Sequence, residues 1–197
     1  MHISEGVLQG EILATGAVLS TGLLIYSLKN LKNQNIPKIA VLSAVFFLGS
    51  FIHIPIGISS VHLILTGLVG AFLGYGAVLA IFVALFLQGL LFGYGGLSTL
   101  GVNTFIMAFP AIIAFWIFSL DVSGKIKKNI QWFLVGSVPI LISASLLSLT
   151  LVLNGEEFYA VSSLAFVSNL PIMIIEGIIS LFALNFIEKV APRYLRK

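Results

Sequence analysis

Long apolar runs alternate with short polar connections along this chain, beginning near Ile12, Ile39, Val61, Ala77, Phe105, Ile130 and Leu164. Several approach the ~20 apolar residues that a helical bilayer crossing needs. In lipid a backbone satisfies its polar groups only within a helix or a closed barrel. The pattern therefore predicts helices at about 11–28, 37–52, 60–74, 76–92, 103–119, 130–153 and 161–188. The expected fold class is an all-α integral membrane protein, one transmembrane domain over residues 1–197, without low-complexity segments or short-period repeats. The third and fourth runs are short and parted only by Gly74-Tyr75-Gly76, so a single long helix is the alternative to two.

Charge chooses between them. With seven crossings, Lys29, Lys32 and Lys38, then Lys125, Lys127 and Lys128, then Lys189, Arg193, Arg196 and Lys197 all fall on one face, which the positive-inside rule makes the cytoplasm. Six crossings would expel the middle cluster. The seven-helix bundle has its N-terminus outside and its C-terminus in the cytoplasm. His2, His53 and His62 are then extracytoplasmic, with Glu5, Glu11, Glu156 and Glu157 beside them.

The connections differ in character. His53 to Ser60 joins the second and third helices through the breakers Pro55 and Gly57. Residues 93–102, GYGGLSTLGV, carry four glycines and almost no charge. Such a loop is expected to pack into the protein and line a cavity, where irregular backbone at membrane depth is tolerated. Asn154-Gly155-Glu156-Glu157 reads as an ordinary solvated turn.

Composition removes other classes. The chain is 59% hydrophobic and 9% charged, with mean hydropathy +1.14, far from a soluble domain's charge content of roughly a quarter. The net charge of +3 resides in the cytoplasmic clusters. No basic stripe is interleaved with aromatics, so nucleic acid is not an expected partner. Without cysteine there is no disulfide or thiolate metal site. The start lacks a positive n-region and carries Glu5 and Glu11, so it is not a secretory signal, and Met1 is expected to be retained ahead of the large His2. Phosphate-loop, H-E-x-x-H and G-x-S-x-G motifs are all missing, so ATP hydrolysis and the simplest membrane-hydrolase activities are not expected of this chain.

Three histidines carry the candidate chemistry. A histidine at position 2 behind a free amine offers the amine, its own amide if deprotonated, and its imidazole in one chelate. One more imidazole would complete a four-nitrogen plane suited to Ni(II) or Cu(II). The plainer reading of His2 is a solvated, frayed terminus. His62, expected at the outer start of the third helix, reads equally as a metal ligand or as a core histidine bonded to a carbonyl or serine. His53, at the end of the second helix, reads as a ligand, a partner of one, or an interfacial ring. Asn103 follows the glycine loop and is placed to orient a ligand or the N-terminal segment. Glu176 lies mid-helix without a basic residue at its depth, and is expected to be protonated or to accept hydrogen bonds from serines and asparagines. Ala40 and Ala44 make a small-xxx-small face for close helix docking.

Taken together, MHISEGVL, FIHIPIGISSVHLILTGLVG and FGYGGLSTLGVNTFIMA resemble the CbiM/NikM family, the substrate-binding membrane components of energy-coupling-factor transporters for cobalt or nickel. The specific motifs cover roughly residues 1–115. The resemblance implies that residues 1–10 form an extracytoplasmic segment inserted into the bundle. It implies that the Met1 amine, His2 and His62 bind Co2+ or Ni2+ as transported substrate, with no catalytic cofactor and no enzymatic activity. Asn103 would support the site, with Ser60 and His53 as further candidates for a supporting or alternative ligand. The implied partners are a membrane coupling subunit docked near Ala40 and Ala44, two ATPases, a candidate small accessory membrane subunit, and the bilayer of a prokaryotic inner membrane. The competing functions are a membrane-embedded metal sensor or accessory metal binder without transport, and a vitamin-binding component, which would leave His2 and His62 unexplained.

Overall fold

The computed structural model describes residues 2–56 and 59–195, and within 53–62 the strand backbones without their side chains. Met1, Gly57, Ile58, Arg196 and Lys197 lie outside the described residues. The helices are α1 (Gly10–Lys29), α2 (Ile36–Gly49), α3 (Thr66–Leu73), α4 (Ala77–Phe92), α5 (Leu100–Ser119), α6 (Lys125–Asn154) and α7 (Tyr159–Val190). Strands β1 (His53–Ile56) and β2 (Ser59–His62) form an antiparallel hairpin between α2 and α3. The long helices α1, α5, α6 and α7 are each apolar enough to cross a membrane, as is the stretch Thr66–Phe92 taken as one unit.

The expected third helix is where the chain departs from its hydropathy. Residues 59–62 are strand, not helix, and α3 has only eight residues. At 1.5 Å per residue it is ~12 Å long, less than half of a ~30 Å hydrocarbon layer. Its depth is fixed by glycine. A Cβ at Gly67 would collide with the Val135 carbonyl of α6, and one at Gly70 with the Ala111 carbonyl of α5. The outer part of this passage is therefore made by β2 and residues 63–65, and α3 is a half-helix starting mid-bundle. Likewise α2 ends at Gly49, so His53 opens a strand instead of closing a helix.

The chain reverses at Gly74–Gly76. Gly74 faces Phe115 near the far end of α5, whereas Gly89 in α4 returns to Gly96, just before α5 begins. The Ser43 hydroxyl of α2 donates to the Ala80 carbonyl, tying α2 to α4. At one end of the bundle, Lys32 and Lys38 border the 74–76 turn, Tyr194 borders Lys38, and Lys128 pairs with Glu188. The opposite end holds the N-terminal segment, the glycine loop and the turn between α6 and α7. A core of Ile64, Val78, Ile81, Ile106, Met107, Ile140 and Ile172 separates them.

Candidate metal centre

Residues 2–9 fold back over the bundle and are gripped at three places. At the first, Asn103 in the opening turn of α5 receives the Ile3 N–H on Oδ1 at 2.9 Å and donates from Nδ2 to the Ile3 carbonyl at 3.0 Å. A third bond, from Nδ2 to the Thr99 hydroxyl at 3.1 Å, fixes the amide's orientation. Ile3 and Asn103 are both buried. A polar pair in such surroundings must be satisfied internally, and this one is.

The second grip is the glycine loop. Gly95 and Gly96 have φ of +77° and +124°, conformations that favour glycine. A Cβ on Gly95 would come within 2.8 Å of the Asn103 amide nitrogen, and one on Gly96 would strike the Glu5 side chain. Bare backbone thus lies directly over residues 2–5. The Ser98 N–H donates to Glu5 Oε1 at 2.9 Å and holds that carboxyl below its ordinary value.

The third grip is Asn154, the last residue of α6. Its Oδ1 accepts the Gln9 N–H at 2.8 Å, its Nδ2 donates to the Val7 carbonyl at 2.9 Å, and its own carbonyl accepts Gln9 Nε2 at 2.8 Å. The expectation of a solvated turn holds for the exposed Glu156 and Glu157 and fails at Asn154, which is 1% exposed. The N-G pair suggested a turn and gave no sign that the asparagine faces inward onto a distant segment.

These grips leave His2 with both ring nitrogens shielded from solvent and its ring stacked on Tyr94, 6.4 Å between centroids and 8° between planes. A frayed terminus is not what is observed. Tyr94 in turn meets Phe51, 6.5 Å away, and Phe92, 6.0 Å away. Phe51 stands two residues before β1, so one aromatic cluster joins His2 to the base of the hairpin. In the hairpin, the backbone register sets His53 opposite His62 and Pro55 opposite Ser60. The side chains of His53, Ser60 and His62 lie outside the described residues, as does Met1. Among described residues, no three His, Asp or Glu side chains converge.

Among the described residues, the partners of Glu176 are backbone N–H groups and not serines or asparagines. Its Oε1 accepts the Ile64 N–H at 2.6 Å and the Leu65 N–H at 2.9 Å, just past the hairpin. Asn169, also embedded, donates to Ala165 in its own helix. Ala40 and Ala44 both lie on the exposed face of α2.

The family model described as the cobalt uptake substrate-specific transmembrane region matches residues 2–194. The chain belongs to the CbiM family. A protein of Haemophilus influenzae named for metal transport is 36% identical over the whole chain and 98% of its own length. The cobalt transport protein CbiM of Lachnoclostridium phytofermentans is 32% identical over 99% of this chain and 85% of its own. A crystal structure of a truncated transition metal transporter superposes with a TM-score of 0.72 at 25% identity, covering 96% of this chain and 99% of that one. Membership of CbiM makes the chain a metal-transport component with membrane-spanning helices, not an enzyme. Within the family's matched span lie all three grips on residues 2–9.

Proposed function

We propose that this chain is the substrate-binding membrane component of an energy-coupling-factor transporter that imports Co2+ or Ni2+. The observation that carries the reading is the two-sided hold of Asn103 on the Ile3 backbone. Main-chain bonds of this kind fix residue 3 whatever its side chain, and so deliver the preceding amine, amide and imidazole to one place. The metal is cargo, held by the Met1 amine and by His2 and His62, with four nitrogens as the complete set. Ser60 and His53 stand near in the hairpin register as supporting candidates.

The gripped end of the bundle faces outward and the end with the basic clusters faces the cytoplasm of a prokaryotic cell, in seven crossings. Capture strips water from the ion and releases protons from the ligands, so affinity falls with acidity. Entry into the cell requires the coupling subunit and its two ATPases. The exposed Ala40 and Ala44 of α2 are the proposed contact, because small residues let helix backbones approach closely.

The test is an N-terminal extension. One residue added before Met1 removes the primary amine and should abolish tight binding of Ni(II) and Co(II) in titration calorimetry, whereas a C-terminal tag should not. An extended protein that binds as tightly as the native one overturns the site.

A further inference from the structure

Every helix leaves its first backbone N–H groups without partners inside the helix. At α3 no local side chain caps them. Leu65, the residue before the helix, has φ +57°, a left-handed conformation uncommon outside glycine and costly unless its surroundings impose it. The surroundings here are Glu176. Its carboxyl, 2% exposed about halfway along α7, takes the N–H groups of Ile64 and Leu65 on one oxygen. A Cβ at Gly136 would collide with the Glu176 carbonyl, so α7 is seated directly on α6 at this level. Glu176 is therefore a fixed post in the rigid part of the bundle.

What it holds is the exit of the hairpin. β2 ends at His62, and the Leu63 N–H still bonds back to Ile52 at 3.1 Å. The next two N–H groups go to Glu176. Thus the strand carrying His62 passes without a break from the ladder to the carboxyl.

We propose that Glu176 is a positioning residue for the metal centre, setting the depth at which β2 delivers His62. This rests on the metal-binding reading above for its consequence, and on the backbone geometry alone for the hold itself. The two parts are tested separately, on full-length protein with a native N-terminus.

Hydrogen exchange of the metal-free protein reads the hold. Glu176→Ala should speed exchange across residues 59–66, while Glu176→Gln, which keeps a carbonyl oxygen for both donors, should leave it near wild type. Nickel titration and the ligand-field spectrum read the consequence. Glu176→Ala should bind Ni(II) about tenfold or more weakly with a changed band, and Glu176→Gln should stay within about threefold with the native band. Where the alanine variant does not fold, Glu176→Asp substitutes, its carboxyl one methylene short, with the same direction of change in both readouts. Unchanged exchange in both short variants overturns the hold. Altered exchange with native affinity and spectrum overturns the positioning role. Equal losses in the glutamine and alanine variants overturn it too, since charge and not placement would then matter. A wild-type protein that binds neither metal but shows the expected exchange pattern defeats the metal-binding reading and keeps the hold.

Discussion

Asn103 reads the backbone of Ile3 from both sides, accepting its N–H at 2.9 Å and donating to its carbonyl at 3.0 Å, across 100 residues of sequence. Asn103→Leu keeps the branch at Cγ and removes both bonds. Each buried backbone group left unsatisfied costs about 1–3 kcal/mol. With two such groups, metal affinity should drop by about 30-fold or more, measured by titration, with helical content unchanged.

Asn154 grips the same segment farther from His2, at Val7 and Gln9. Asn154→Ala should loosen residues 5–10 while leaving the Ile3 anchor intact. The expected result is faster protease cleavage or hydrogen exchange in that segment, with a smaller loss of metal affinity than Asn103→Leu gives. Equal losses would mean that the two grips act as one unit.

The long helices α1, α5, α6 and α7 were legible because helices able to cross a bilayer announce themselves by length and apolarity. The half-helix was not, since Val61–Leu73 is apolar but for His62 and Thr66, and a short apolar run does not separate strand from helix by periodicity. His2 and Asn103 were legible as candidates through their motifs and positions. Asn154 and the use made of Glu176 were not. Both bond to main-chain atoms more than 100 residues away, and a backbone partner leaves no mark in the sequence.

Orientation is checked at the two ends of α6. Cysteines placed singly at Glu156 and Lys127, both exposed, should react with an impermeant reagent from opposite sides of intact membranes. Labelling from the same side would defeat the seven-crossing arrangement.

Acid should act on the site in two windows. The Ser98 N–H lowers the Glu5 carboxyl below its ordinary value of 4.5, so the loop contact is fully present above that value. It is lost as pH falls through the lower folded value. On the proposed ligand set, binding lost between pH ~7 and ~5 would instead reflect protonation of imidazole and amine nitrogens. Wild type and Glu5→Gln should therefore show parallel declines in metal affinity across the upper window. Tryptic cleavage of the N-terminal segment should distinguish them only under more acidic conditions in which the wild-type bundle is still folded.

Substituting both Ala40 and Ala44 by leucine should block close approach of a partner helix to the exposed face of α2. Co-purification of the coupling subunit should fall while metal binding stays within about threefold. Unchanged co-purification would move the contact elsewhere.

The grips on residues 2–9 also set an order of assembly. These residues leave the ribosome about a hundred residues ahead of Asn103 and earlier still relative to Asn154, so contacts with such separations form late. A segment made well before its partners is thus among the last to be placed. In the proposed orientation it waits outside the membrane, uncharged by lysine or arginine, until α5 and α6 are inserted. On the proposed metal site, the ion would be bound only after that closure, so a half-built bundle would offer it no complete set of ligands.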